Sequence, residues 1–168
     1  ETHQNFEDCL KTLERQLAEQ QAERYPRLLM VGHSMGGLLM REYLARHRPG
    51  NARRCVCVGT PHAGSRLADI AAIFPGAQWA FPPLSALKVG ARQSLTTPEI
   101  PGLEIGSIIG TVNGHWPGRC FLSYASDGLV EIASARCRDA ADTAYVAIRH
   151  DDMQYAPEVA LLIRNFLA

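Results

Sequence analysis

Val31-Gly32-His33-Ser34-Met35-Gly36-Gly37 lies between two apolar stretches of different periodicity. Before it, Leu28-Leu29-Met30-Val31 is an unbroken apolar run that suits a strand buried on both faces. After it, Leu38-Leu39-Met40-Arg41-Glu42-Tyr43-Leu44 reads as a helix, with Leu39 and Tyr43 four apart on its apolar side and Leu44 beside them. The motif is therefore a strand-to-helix turn with a serine at its apex. A turn that sharp strains the serine backbone and needs nearly absent side chains two residues to either side, where Gly32 and Gly36 stand. The strain holds the Ser34 hydroxyl above the sheet. The N-terminus of the following helix aims partial positive charge at any oxyanion formed there, and the Met35 backbone N–H is its first donor. Gly-x-Ser-x-Gly alone also occurs in ordinary glycine-rich turns; the flanking elements and the downstream residues select the nucleophile reading.

Working outward, residues 5–24 show Phe6, Leu10, Leu13 and Leu17 at steps of four and three, an amphipathic helix ended by Tyr25-Pro26. The strand before the serine runs over 27–32 and the helix after it over 35–47, closed by Arg48-Pro49-Gly50. Arg53 to Val58 predicts the next strand, leading into Gly59-Thr60-Pro61-His62-Ala63-Gly64-Ser65. Residues 65–98 are aromatic and proline-rich, with Leu67, Ile70, Ala71 and Phe74 as a short helical stripe and a second short helix over 84–94. That segment is either a lid or cap insertion or a crossover with irregular ends. Glu104 to Thr111 predicts a third strand and Ala144 to Ile148 a fourth. Pro157 to Leu167 predicts a closing helix with Val159, Leu162, Ile163 and Phe166 inward. Strands alternating with helices give an α/β fold, a mostly parallel sheet with helices on both faces, in a single domain over 1–168.

Composition narrows the function. The 168 residues are 46% hydrophobic and 20% charged with zero formal net charge, so no basic excess points to nucleic acid. No apolar run approaches a membrane span, and no signal-peptide pattern opens the chain. The first residue is Glu, which fits a processed protein or part of a longer one. Five cysteines cannot all pair; Cys55 and Cys57 alternate onto one face of a strand as small buried hydrophobes. No Cys or His spacing suits a metal, and a reducing, cytoplasmic compartment is mildly favoured, with one distant disulfide left open.

An activated serine needs a base, and the base an orienting acid. Of the six histidines, only His150 follows a late strand; His33 abuts the serine and would point the wrong way to be its base. The acid must fall between the third strand and His150. Asp127 in Ser126-Asp127-Gly128 is a turn carboxylate that local hydrogen bonds can hold, with Glu131 the closest rival and Asp139 and Asp142 behind it. Asp151 and Asp152 come after His150. Candidate substrate contacts are His33 beside the serine and Trp79 and Phe81 in the aromatic segment. Ser34 would attack an acyl carbonyl, His150 would carry the proton and Asp127 would fix the imidazole, with no metal or organic cofactor.

These residues resemble the lipase/esterase branch of the α/β-hydrolase superfamily. Gly32-His33-Ser34-Met35-Gly36-Gly37 matches its Gly-His-Ser-Met/Leu-Gly-Gly form, and Thr60-Pro61-His62-Ala63-Gly64-Ser65 resembles its Thr-Pro-His-x-Gly-Ser stretch. Ser126-Asp127-Gly128-Leu129-Val130 is similar to its acid loop, and His150-x-x-Met153 to its final histidine motif. The resemblance implies hydrolysis of carboxylic esters of acyl lipids or small molecules, with acyl transfer, thioester cleavage or an inert hydrolase-like binding module as alternatives. It also implies earlier strands, including the turn that gives the second oxyanion N–H, which residues 1–26 do not supply. An N-terminally truncated α/β-hydrolase fold is therefore expected, with an exposed sheet edge that invites self-association.

Overall fold

A computed structural model describes residues 6–64, 100–114, 122 and 125–168. Helix α1 (Phe6–Glu19) leads through a left-handed residue, Gln21 (φ 49°), into a 3-10 turn, Ala22–Arg24. The helix expected over 5–24 thus stops early. Ala22 is buried, and the Asn51 side-chain amide donates to the carbonyls of Ala22 and Tyr25 at 2.9 Å, which holds the chain in a tighter turn.

Strand β1 (Leu28–His33), helix α2 (Met35–His47) and strand β2 (Ala52–Val58) form the first crossover unit. Strand β3 (Glu104–Gly110), the short helix α3 (Ile132–Ala135), strand β4 (Asp142–Val146), a 3-10 turn (His150–Tyr155) and helix α4 (Pro157–Leu167) complete the described chain. All neighbouring strands pair parallel in the order β1-β2-β3-β4. Before β1 the described residues contain a helix and a 3-10 turn but no strand.

The sheet is sided by the two-residue period of its strands. Cys55 and Cys57 of β2 point one way and pack with Met40 and Leu44 of α2 and Ile105 of β3. Val56 and Val58 point the other way and meet Ile108, Val146, Met153 and Val159, with Leu162, Ile163 and Phe166 of α4 against them. Both faces of β2 are dry from Cys55 to Val58, the reason that half of the strand is a continuous apolar run, while Arg53 and Arg54 stand at its half-buried start.

Two expected details differ. The buried stripe of α2 is Gly37, Leu38, Met40, Arg41 and Leu44, whereas Leu39 and Tyr43 stay half-exposed. Strand β4 begins two residues before the expected 144–148, because its register pairs Asp142 with Gly106 and Thr143 with Ser107. β4 ends the order of the described strands, and Asp142, Thr143 and Tyr145 are exposed there, so its polar start costs little. At the opposite edge, β1 leaves Leu29 (39%) and Val31 (49%) open on the α4 side of the sheet.

Among the described residues no helix is long and apolar enough to cross a membrane. Among the described residues Cys55, Cys57 and Cys137 are thiols outside any disulfide. Burial pushes the Cys55 thiol up to about 12 and that of Cys57 up as well, so these two are packing groups rather than nucleophiles.

Candidate active site

Every strand of a parallel sheet ends on the same edge, so the loops after β1, β2, β3 and β4 converge there. Ser34 follows β1 with φ 53° and ψ −124°, a conformation that costs a non-glycine residue about 1–3 kcal/mol. The surroundings impose it. The Ser34 N–H donates to the Val58 carbonyl at 2.8 Å, and its own carbonyl accepts from Gly37 N–H at 3.1 Å. Its hydroxyl does not cap α2, so the oxygen is not spent on the helix. Met35 opens α2, where a helix's first amides find no carbonyl one turn back.

The glycine requirement is partly different from the one expected. A Cβ on Gly32 would come within 2.5 Å of Gly37 N and 2.6 Å of the Gly36 carbonyl group, so the turn closes against that residue. Gly36 meets nothing within 4 Å. The tight position is Gly37 instead, whose Cβ would land on the Thr60 side chain from the loop after β2.

Asp127 and His150 meet in the interior. Both are buried, at 0% and 3% exposure, and His150 Nδ1 lies 2.7 Å from Asp127 Oδ2. Asp127 Oδ1 accepts from the amides of Leu129 (3.0 Å) and Val130 (2.7 Å), so one oxygen anchors the carboxylate and the other faces the imidazole. The backbones are tied too, with His150 N–H donating to the Asp127 carbonyl at 3.0 Å. A carboxylate only accepts, so Nδ1 carries the proton and Nε2 is left with the lone pair. Glu131 is the residue before α3, Asp139 pairs with Arg41 and the Asp142 carboxylate takes the Thr143 amide, while the His150 ring bonds Asp127.

The loop after β2 brings that pair to the serine side. Gly59 has φ +56°, and a Cβ there would stand 2.6 Å from Met153 Cε and 3.2 Å from His150 Nδ1 and Cε1. The imidazole thus rests on the residue next to Val58, whose carbonyl holds Ser34.

His33 is half-buried, and its Nε2 lies 3.1 Å from the His150 carbonyl with the two rings 4.9 Å apart. Burial first, and then the neighbouring His150 imidazole, lower its pKa from the ordinary 6.5. Trp79, Phe81 and the whole 65–98 segment lie outside the described residues.

Sequence reasoning missed a buried polar knot behind the elbow. Arg41 of α2, 3% exposed, reaches His62 Nδ1, Cys137 Sγ and Asp139 Oδ2, each at 3.0 Å. The Thr60-Pro61-His62 stretch therefore braces α2: Thr60 covers Gly37 and His62 meets Arg41. The available signal was an arginine on the buried side of an otherwise apolar helix.

Residues 4–85 match the family model described as the α/β hydrolase fold. No curated protein matches the chain by sequence. Among solved structures it is similar to the mature form of a lipase from Bacillus licheniformis (TM-score 0.71, 21% identity, 96% of this chain and 75% of that one). It is also similar to a metagenomic carboxyl esterase (TM-score 0.70, 17% identity, 98% and 58%). A third is the phospholipase PlaB from Legionella pneumophila (TM-score 0.69, 13% identity, 98% and 48%). The chain thus spans three-quarters of the mature lipase and about half of the other two. With its parallel sheet, crossover helices and serine turn, the chain has the α/β-hydrolase fold, the fold of the lipases and esterases on which it superposes.

Proposed function

We propose that this chain is a serine hydrolase that cleaves carboxylic esters through an acyl-enzyme on Ser34. The observation that carries the reading is the strained Ser34 turn on the same sheet edge as the buried Asp127–His150 pair. Ser34 Oγ attacks the acyl carbonyl while His150 Nε2 takes its proton. His150 then protonates the leaving alcohol, and a water deprotonated by the same nitrogen releases the acid. Asp127 keeps the proton on Nδ1 and stabilises the imidazolium. The Met35 N–H donates to the tetrahedral oxyanion, a contact whose loss costs about a hundred- to a thousandfold in turnover in a well-studied protease. His33, beside the nucleophile, and Trp79 and Phe81 are the proposed substrate contacts. Lipid or small esters are the proposed substrates, and the open β1 edge supports self-association.

The test is labelling with a fluorophosphonate probe, read by intact mass and peptide mapping, on the chain and on Ser34→Ala, His150→Ala and Asp127→Asn. One label at Ser34, lost in the first two variants and slowed by about 10⁴-fold in the third, is the expected result. A folded chain that takes no label overturns the reading.

A further inference from the structure

His150 is held mainly from the acid's side. Its N–H and its Nδ1 both bond to Asp127, at 3.0 and 2.7 Å, and its ring rests on Gly59. Neither hydrogen bond reaches the elbow. If the Asp127 loop and the 3-10 turn moved as one body, both would survive while Nε2 left the serine. Met153 anchors the 3-10 turn in the apolar core, and one polar side chain of the elbow strand ties it at the serine end. His33 ends β1, immediately before the nucleophile, and strand alternation sends its ring to the α4 side, where the 3-10 turn packs. Its Nε2 lies 3.1 Å from the His150 carbonyl across 117 residues of sequence. A carbonyl only accepts, so His33 Nε2 carries the proton.

We propose that His33 is a positioning residue that sets the reach of His150 to Ser34 by holding the His150 carbonyl. This rests on the hydrolase reading above. The donor sits on a rigid base, because β1 is paired along its length with β2 and the next residue is locked by the Val58 carbonyl. Burial favours the neutral His33 ring, which suits a neighbour that becomes a cation during the reaction. His33 therefore acts through the base, whatever part of the ring a substrate also touches.

The experiment compares His33→Leu, which fills the space without a donor, with His33→Gln, whose amide nitrogen reaches about as far as Nε2. The readouts are the rate of fluorophosphonate labelling at Ser34, the thermal unfolding midpoint, and the ring ¹⁵N spectrum of the unsubstituted chain. Labelling about a hundredfold slower in His33→Leu at a similar midpoint, with most of the rate regained in His33→Gln, is expected. So is an Nε2–H tautomer for His33. A chain that labels normally but shows the Nδ1–H tautomer, or equal rates for Leu and Gln, overturns the His33 role alone. A chain that takes no label removes the hydrolase reading and this role together.

Discussion

Ser34 is surrounded by three glycines that look equivalent in the sequence and are not equivalent in space. Gly32 is closed off by backbone, Gly37 by Thr60, and Gly36 by nothing within 4 Å. Gly36→Ala is therefore expected to keep the fold and to raise stability by up to about 1 kcal/mol through the unfolded chain's lost freedom. Gly37→Ala must push Thr60 aside, at a cost of about 1–3 kcal/mol. Chemical denaturation of the two variants side by side checks both signs. The pattern of glycines around a serine was legible because the turn is local. Which glycine the packing demands was not, because Thr60 comes from the other side of β2. The Asp127 turn was legible for the same reason as the serine turn: a carboxylate two and three residues before the amides it accepts from is a local device.

Helix α2 shows what is lost when elements are read singly. Its periodicity gave its limits but misplaced its buried side, since Leu39 and Tyr43 are half-exposed and Arg41 is inside. The ligands that make Arg41 tolerable there, His62, Cys137 and Asp139, lie on other elements. Arg41→Met strips a donor from all three. Because Asp139 keeps 34% exposure and can rehydrate, the expected loss is about 2–3 kcal/mol, below the roughly 3–5 of a fully buried pair. The same knot carries a pH signature. Burial first, then the Arg41 charge, lower the His62 pKa from 6.5 to about 4. Between those values the unfolded chain binds a proton that the fold refuses, so stability falls as pH drops from about 6.5 and the loss is complete near 4. His33, also lowered, adds to it in the same direction. Denaturation midpoints measured across that window should rise with pH, and His62→Asn, which can still accept from Arg41, should flatten the slope.

At the scale of the molecule, alternating strands and helices made the parallel sheet legible, and every described strand falls within two residues of its expected limits. Register was the part that pattern could not give. Asp142 and Thr143 joined β4 because Gly106 and Ser107 were there to pair with them, a condition set by the whole sheet. The edge at β1 follows from the same order of strands. Leu29 and Val31 stand open on the outermost of the described strands, beside backbone groups that no other described strand pairs with. Sedimentation velocity is expected to show concentration-dependent association that Val31→Lys reduces, with an unfolding free energy unchanged within about 0.5 kcal/mol, as for other surface changes.

Strand order that repeats chain order also dictates a history. Each strand pair here is parallel, so each must wait for a crossover to close before pairing repays the entropy spent. The serine turn needs only β1, α2 and the end of β2, whereas Asp127 and His150 come from chain beyond β3 and β4. A refolding chain should therefore regain helical dichroism early and probe reactivity last, so the delay between the two signals would time the docking of the final strand.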